Sequence, residues 1–384
     1  MITKKGLKLG FIGGGLNSAV GNTHFIASQM DGLFSVVAGC FCRDSELNLK
    51  TAEKWGIDSQ RTYRSSADLL AAEAQNLDCV VVLSPTPEHF HHVSSAMKAG
   101  LNVICEKSLA MTSSEALELI EVAEQKNKLL AVTYNYSGYP MVRELRQMIS
   151  AGRLGKLEQL HIEMPQEGYA RLNRQGQPVI PQQWRLRDGP VPTISLDLGV
   201  HIHHLVDFLT GAKPLEVVAT QSSLGRFRQV VDTIQAIVHY TESIEAGFWF
   251  SKAGLGHRNG LRLRVYGDEG SAEWLQMEPE ILLFSDTRGR QMRIDRANID
   301  VEISHLERYN RFKSGHPAGF LEAFANLYTD IAAELHGGCE LQQSVGFPLF
   351  SPWKAWEGLV FFEAVNRSAQ ERRWVTVPQV KNSE

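Results

Sequence analysis

Short, continuously apolar runs alternate with segments of helical length through the first third of the chain. The runs are residues 7–12, 35–42, 77–83, 103–105 and 129–132. Strands that are apolar throughout, rather than at every second residue, are typical of a parallel sheet that is buried on both faces. The pattern therefore predicts an α/β domain with a doubly wound, Rossmann-type sheet over residues 1–133.

The pattern changes after Tyr134 to longer segments in which apolar and polar residues alternate. These segments are residues 158–163, 216–221, 233–239, 244–250 and 261–266. Period-two alternation predicts strands with one face on a core, as in an antiparallel sheet. We therefore expect residues 134–384 to form an α+β domain with a large, mostly antiparallel open sheet. The stretch 166–192 holds four prolines and three glycines without a clear period, which predicts a long loop over a site or an interface.

Composition and charge argue against several classes of partner. The 39 Lys and Arg residues nearly balance the 43 Asp and Glu residues, so no overall positive field favours nucleic acid or an anionic membrane. No apolar stretch approaches the roughly 18 residues of a membrane span, and we expect no secretory signal at the N-terminus. The cysteines form no Cys-x-x-Cys pair, which favours reduced core thiols and a cytoplasmic protein: Cys40, Cys42, Cys79, Cys105 and Cys339.

A glycine-rich segment, Gly13-Gly14-Gly15-Leu16-Asn17-Ser18-Ala19-Val20-Gly21, follows the first apolar run and precedes a helical pattern. Such a turn lets the backbone approach a pyrophosphate at the amino end of a helix. Gly13 and Gly15 match the first two glycines of the dinucleotide fingerprint, and Ser18 stands where the third is expected. The segment predicts that Gly13, Gly15 and Ser18 bind a dinucleotide, although an ordinary turn after a strand is the alternative.

The end of the second apolar run bears on which dinucleotide is bound. Cys42 occupies the position where an acid that binds the ribose of NAD is expected, and Arg43 follows it. An arginine here is suited to the 2′-phosphate of NADP. NAD and NADP both remain open, and a solvated Arg43 at a strand end is the other interpretation.

Five further segments together resemble the Gfo/Idh/MocA oxidoreductases. The segment 99–109, with Glu106-Lys107, is similar to the Glu-Lys-Pro segment of that family, and 86–91 to its Thr-Pro-x-x-x-His loop. Residues 135–143 resemble the opening of its second domain, Asp197 to His201 its Asp-x-x-x-His helix, and 315–324 a late segment of sugar-oxidising members. Because all occur in the family's order, the set is specific where a single motif is not.

The resemblance implies roles for individual residues. It places Lys107, Asp197 and His201 in catalysis. It implies that the cofactor is bound by Thr86, Pro87, His89, Glu106 and Lys107 in addition to Gly13, Gly15, Ser18 and Arg43. It implies that the substrate is bound by Lys107, Trp184, Arg185, His201 and His204.

The chemistry of these residue types agrees with those roles. Oxidation of an alcohol needs a base for the hydroxyl proton, and Asp197 and His201 are four residues apart on one helix face. Lys107 can polarise the hydroxyl and stabilise a developing alkoxide. Each also has a structural alternative, namely an ion pair of Lys107 with Glu106, a helix cap for Asp197, and packing for His201.

Three details complete the prediction for the site. Ser108 replaces the proline that usually follows the lysine, and residues 192–196 replace a glycine run that usually precedes the aspartate. We expect no metal, because the adjacent histidines His203 and His204 point to different faces of a helix.

The sequence thus predicts an NAD(P)-dependent oxidoreductase that transfers a hydride between a secondary alcohol of a sugar, cyclitol or sugar derivative and the nicotinamide. A redox-assisted lyase or glycosidase with tightly bound NAD, and a regulator that binds NAD(P) without catalysis, are the alternatives. We expect a sugar or polyol as the small-molecule partner, neither nucleic acid nor membrane, and a homodimer or homotetramer formed through the open sheet face.

Overall fold

The structure is a computed structural model that describes residues 6–337 and 349–379. Cys339 lies outside the described residues. The chain divides into two compact units, of which the first comprises Met1–Gly138 and Phe320–Trp356 and the second Tyr139–Gly319 and Glu357–Glu384. The sequence interpretation placed everything after residue 133 in the second domain, whereas residues 320–356 belong to the first unit.

The first unit contains a five-stranded parallel sheet with the strand order β2-β1-β3-β4-β5. Its elements are β1 (Leu7–Gly13), α1 (Gly21–Gln29), β2 (Phe34–Cys40), α2 (Ser45–Trp55), α3 (Ser66–Glu73), β3 (Cys79–Leu83), α4 (His89–Lys98), β4 (Asn102–Glu106), α5 (Ser113–Lys126) and β5 (Leu130–Thr133). The predicted doubly wound sheet is confirmed. In this strand order the connections reverse between β1 and β3, and ligands bind at the carboxyl ends of the strands at that point.

The core of the first unit explains why the chain returns to it. The strands bury Phe11, Val81 and Ile104 completely. Helix α8 (Phe320–Leu335), which comes late in the chain, adds Phe324 and Ile331 to the same cluster. Burial of apolar surface is the dominant favourable contribution to folding, so α8 completes a core that the first 138 residues begin.

The second unit contains a nine-stranded sheet with the order β13-β12-β11-β10-β6-β9-β8-β7-β14. Its elements are α6 (Pro140–Ser150), β6 (Leu157–Pro165), α7 (Val200–Thr210), β7 (Pro214–Ser222), β8 (Thr233–Tyr240), β9 (Glu245–Ser251), β10 (Arg262–Gly267), β11 (Gly270–Leu275), β12 (Leu282–Asp286), β13 (Gln291–Ile294), β14 (Val375–Thr376) and, from residue 357 onward, α9 (Pro352–Glu371). All neighbouring pairs are antiparallel except β6 and β9. The predicted mostly antiparallel sheet is confirmed.

The two faces of this sheet differ because the side chains alternate along each strand. On one face, Phe248 and Phe250 of β9 pack edge-on against Phe361 and Phe362 of α9. The other face carries side chains that alternate with these, including Ile237 of β8, which is 50% exposed. One face is therefore covered by helices of the same unit and the other is open.

Within the described part of the chain, none of the helices combines the length and the apolarity that crossing a membrane requires.

Candidate active site

The glycine-rich turn of the first unit joins the end of β1 to the start of α1. Gly13 and Gly14 adopt φ values of 81° and 80°, in the left-handed region that favours glycine. A Cβ atom on Gly13 would lie 2.8 Å from the amide nitrogen of Ser84, and one on Gly21 would lie 1.7 Å from the Gly14 carbonyl oxygen. In the fingerprint, the third glycine lets the helix approach the strand closely. In this chain Gly21 has that role.

Gly15 and Ser18 shape the same turn through hydrogen bonds. The Gly15 N–H donates to the Phe41 carbonyl at 3.0 Å, and the Ser18 hydroxyl accepts from the N–H of Gly21 at 3.2 Å. Helix α1 has no acidic residue in its first turn, so no side-chain charge opposes an anion at its amino end. A turn that begins with three glycines, at the strand-order reversal and in front of a helix dipole, fits the pyrophosphate of a dinucleotide.

The tip of β2 presents the cation of Arg43, and the acid next to it, Asp44, is already engaged as a helix cap. Arg43 is 88% exposed and lies 3.5 Å from the Glu88 carboxylate, which reaches it from the segment after β3. The Asp44 carboxylate caps α2 by accepting the N–H of Leu47 at 2.9 Å. A cation beside a carboxylate at this tip is compatible with either a ribose hydroxyl or a 2′-phosphate.

The segment after β3 forms a short helical turn, Thr86–Glu88, that leads into α4. Thr86 is buried and Pro87 is exposed. The ring nitrogens of His89 lie 2.8 Å from the Ser84 carbonyl and 2.7 Å from the Ser108 carbonyl. His89 thus ties the end of β3 to the segment after β4, and burial lowers its pKa.

Glu106 ends β4 as a buried carboxylate. Its Oε1 atom lies 3.0 Å from Nε2 of His24 and 2.5 Å from the Thr133 hydroxyl, while Nδ1 of His24 lies 2.8 Å from the Tyr328 hydroxyl of α8. Burial opposes ionisation, yet the hydrogen bond and charge of His24, with the charge of Lys107, hold the pKa of Glu106 below its usual value. The carboxylate therefore carries a negative charge in the protein interior.

Lys107 follows Glu106 directly at the carboxyl edge of the parallel sheet, and its residue is partly exposed. The peptide bond between Lys107 and Ser108 is cis. The structure thus places the predicted cofactor residues of the first unit at the carboxyl ends of β1 and β4 or on segments that follow β1, β2, β3 and β4.

The second unit holds the other predicted catalytic groups. Asp197 lies in a π-helical turn, Ser195–Gly199, immediately before α7. Its Oδ2 atom lies 2.6 Å from Nη1 of Arg185 and also contacts Nζ of Lys252. The structure therefore brings together the predicted residues Asp197 and Arg185, and adds Lys252, which the sequence interpretation did not include.

The three histidines of α7 are all buried, with His201 4%, His203 3% and His204 1% exposed. His201 lies about one helical turn after Asp197. The ring of His203 stacks on Phe361, and that of His204 lies beside Phe208. Burial holds the pKa of His204 well below its usual value, with smaller effects from His203 and Arg146.

Trp184 and Arg185 lie in a short helical turn of the long loop, Gln183–Leu186. The Arg185 guanidinium stands 4.4 Å from the centre of the Trp184 ring, a cation–π arrangement. The Tyr169 hydroxyl donates to the Arg185 carbonyl at 3.2 Å, and the Asp188 carboxylate accepts the N–H groups of Thr193 and Val231. These bonds fix the loop that carries Arg185.

No three His, Cys, Asp or Glu side chains of residues 6–337 and 349–379 are grouped as metal ligands would be.

Comparison with known proteins identifies the family. Residues 7–134 match the model of the "Oxidoreductase family, NAD-binding Rossmann fold", and residues 142–273 match the "GFO/IDH/MocA C-terminal domain". The chain belongs to the Gfo/Idh/MocA oxidoreductase family. The predictions of an oxidoreductase of this family and of a nicotinamide dinucleotide as its cofactor are thereby confirmed.

Relatives extend over most of the chain. An uncharacterised oxidoreductase, YfiI of Bacillus subtilis (strain 168), is 28% identical over 86% of this chain and 86% of its own. D-Glucoside 3-dehydrogenase of Escherichia coli (strain K12) is 26% identical over 59% of this chain and 62% of its own. An inositol dehydrogenase homologue from Azotobacter vinelandii, crystallised with NADH and myo-inositol, is 28% identical, with a TM-score of 0.88 over 97% of this chain and 98% of that one.

Three residues of these clusters were missed from the sequence, namely Gly21, His24 and Lys252. Gly21 comes three residues after the position where the fingerprint has its third glycine, so the spacing does not point to it, and His24 matches no motif. Lys252 follows an alternating strand, at a position where a lysine is commonly solvated, and only its distant partner Asp197 distinguishes it.

The close approach of α1 to β1 predicts that Gly21→Ala weakens dinucleotide binding. The added methyl would overlap the Gly14 carbonyl, so the turn must move. We expect the Kd for NADH, measured by fluorescence titration, to rise about tenfold or more, which corresponds to about 1.4 kcal/mol. The control is Gly189→Ala, where a Cβ atom meets nothing within 4 Å. Unchanged binding by Gly21→Ala would contradict this assignment of the turn.

The buried Glu106 carboxylate predicts a pH-dependent stability difference. Because its pKa is lower in the folded chain, ionised Glu106 stabilises the fold above its ordinary pKa of 4.5, and this contribution is lost as the pH falls through the folded value. We expect Glu106→Gln to lose about 2 kcal/mol at neutral pH, and the deficit to shrink below about pH 4. Urea unfolding of both proteins, at neutral and at acidic pH, measures the difference in their free energies of unfolding.

The control for that experiment is Glu46→Gln. Glu46 forms an exposed ion pair with Lys50, and such pairs contribute less than about 1 kcal/mol. A deficit of Glu106→Gln that stays constant with pH would show that the carboxylate is not the stabilising form.

Proposed function

We propose that the chain is an NAD(P)-dependent dehydrogenase that oxidises a secondary alcohol of a sugar, a cyclitol or a sugar derivative. The proposal is supported by relatives whose names specify such substrates, among them the inositol dehydrogenase homologue and D-glucoside 3-dehydrogenase. It is supported further by the retention of Lys107, Asp197 and His201. NAD and NADP are both compatible with Arg43 beside Glu88.

In this proposal the residues of the first unit bind and orient the cofactor. The turn through Gly13, Gly15 and Ser18 takes the pyrophosphate, and Arg43 faces the adenosine ribose or its phosphate. The segments that begin at Thr86 and at Glu106 serve the nicotinamide side. The bound nicotinamide supplies the hydride acceptor.

The observation that carries the catalytic assignment is the Asp197 carboxylate with two cations on one oxygen. Two cations beside a carboxyl group stabilise its ionised form, so the carboxylate is a weak proton acceptor. His201, one helical turn later, is an imidazole, which ordinarily titrates near neutrality and is suited to take the hydroxyl proton. We therefore assign His201 as the base, Asp197 as the anion that orients the reacting groups, and Lys107 as the cation that stabilises the developing alkoxide.

Trp184 and Arg185 are proposed to bind the substrate. The indole offers a flat apolar surface for a sugar ring, and the guanidinium has further donors for hydroxyl groups. His204, which is buried with its ring beside Phe208, is also proposed to bind the substrate.

The test is reduction of NAD⁺ and NADP⁺ by a panel of cyclitols, aldoses and glycosides. We expect net formation of reduced cofactor with at least one of them. Lys107→Met should lower kcat/KM about a hundredfold or more because the alkoxide loses its cation, while the Kd for NADH changes only a few-fold. The control Lys50→Met removes an exposed lysine of α2 and should leave both values unchanged.

Two other results would contradict the proposal. Cofactor binding without turnover of any alcohol would indicate a regulator. Sustained product formation without net reduced cofactor would indicate a redox-assisted lyase or glycosidase.

We also propose that the open sheet face pairs with a second copy of the chain. A groove of about 350 Å³ on that face is lined by apolar and charged side chains, among them Ile237, Trp249, Val218 and Arg264. Half-exposed apolar residues between ion pairs are typical of surfaces that associate.

We also propose that the protein works in a reducing, cytoplasmic setting. The free thiols of Cys40, Cys79 and Cys105 support this.

Light scattering tests the assembly. We expect the wild-type chain to be a dimer or tetramer and Ile237→Arg to be smaller, because the new charge would be buried in the contact. Leu224→Arg, at an exposed loop position, is the control and should keep the wild-type mass. A monomeric wild-type chain would refute this part of the proposal.

A further inference from the structure

Lys252 occupies a fixed position immediately after β9. The residue is 9% exposed. Its backbone N–H donates to the Asp232 carbonyl at 2.8 Å, and its own carbonyl accepts the N–H of Tyr169 at 2.8 Å. The backbone on both sides is therefore fixed by hydrogen bonds, which limits where the ammonium group can lie.

The ammonium group is enclosed by an anion and an aromatic ring. Nζ of Lys252 contacts Oδ2 of Asp197 and lies 5.3 Å from the centre of the Tyr169 ring. Side chains of Lys252 and Asp197 are only 11% and 12% exposed, so water screens their attraction poorly. The attraction between the two charges is thus stronger than in an exposed surface ion pair.

Arg185 contacts the same oxygen atom of Asp197 from the long loop. The neighbouring carboxylates are engaged elsewhere, since Asp188 accepts backbone N–H groups of Thr193 and Val231. Asp232 accepts the N–H groups of residues 224 and 225 and the Thr233 hydroxyl. Among these groups, two cations share the single carboxylate of Asp197.

A structural role alone does not account for this arrangement. Removing a cation from water is costly, and a second cation on the same carboxylate oxygen adds a desolvation cost beyond that of one ion pair. Two cations on one oxygen strongly favour the ionised carboxylate and restrict its rotation. Both effects are useful where the carboxylate must orient a base or a substrate hydroxyl without taking the proton itself.

We propose that Lys252 is a positioning residue of the reaction, which with Arg185 holds the Asp197 carboxylate ionised and in one orientation. The inference rests on the proposed function for its catalytic consequence. Lys252 acts through Asp197, and the proton of the alcohol passes to His201. Arg185 and Lys252 contact the Asp197 carboxylate, and His201 follows it by one helical turn. Tyr169 interacts electrostatically with Asp197, and also with Arg185, Asp188 and Asp232.

The experiment compares Lys252→Met, Lys252→Arg and the wild-type chain by two measurements. The first is the pH dependence of kcat/KM. The second, which needs no activity, is the pH titration of the Asp197 side-chain carbon by NMR with ¹³C-labelled aspartate, with the signal assigned by Asp197→Asn. The matched control is Lys213→Met, which removes another partly buried lysine of the second unit from its ion pair with Glu357.

We expect Lys252→Met to move both the carbon titration and the acidic limb of kcat/KM to higher pH by about one unit or more. Activity at neutral pH should fall about tenfold, and Lys252→Arg should restore both profiles. Lys213→Met should lower Tm and move neither. If Lys252→Met does not fold, Lys252→Gln is measured in its place.

The two proposals fail in different ways. If the wild-type chain oxidises no alcohol, the proposed function fails, and the carbon titration still decides whether Lys252 controls Asp197. If Asp197 titrates identically in the wild type and in Lys252→Met, the inference is wrong whatever the activity.

Discussion

The buried charge of Glu106 is the interaction on which the first unit depends. Its carboxylate joins the end of β4 to His24 of α1 and to Thr133 at the end of β5, and His24 extends the connection to Tyr328 of α8. A buried carboxylate is tolerated only when hydrogen bonds and opposite charge compensate its desolvation. The elements that carry the glycine-rich turn, Lys107 and the returning helix are thereby fixed to one another within this unit.

Asp197 has the corresponding position in the second unit, but its charge is compensated differently. Glu106 is satisfied by a histidine and a hydroxyl, whereas Asp197 is held by the two cations Arg185 and Lys252. Both carboxylates are largely closed to water, since their side chains are 9% and 12% exposed. The first joins elements of the fold, whereas the second lies where the long loop meets the start of α7, which suits an anion that acts on a ligand. The π-helical turn at Asp197 agrees with this, because such turns often occur at functional sites.

Much of the fold follows from local patterns, and much of the site does not. Continuous apolar strands such as 77–83 and alternating ones such as 233–239 predict the two sheets, because the periodicity of apolar residues can be read from neighbouring positions in the sequence. The return of α8 is not predictable this way, since an apolar helix face does not specify which core buries it. Asp197 and Arg185 were predicted by resemblance, but Lys252 gains its partner only through a contact 55 residues away in the chain. Likewise, Gly21 is required by its distance from Gly14 rather than by fingerprint spacing.

The most direct test of the account is to follow the hydride itself. The protein would be incubated with NAD⁺ or NADP⁺ and a panel of sugars and cyclitols deuterated at their carbinol carbons, and the reduced cofactor analysed by mass spectrometry. The account predicts reduced nicotinamide that is heavier by one deuterium, which would show direct transfer from the alcohol carbon. Reduced cofactor without the label, or none from any member of the panel, would contradict it.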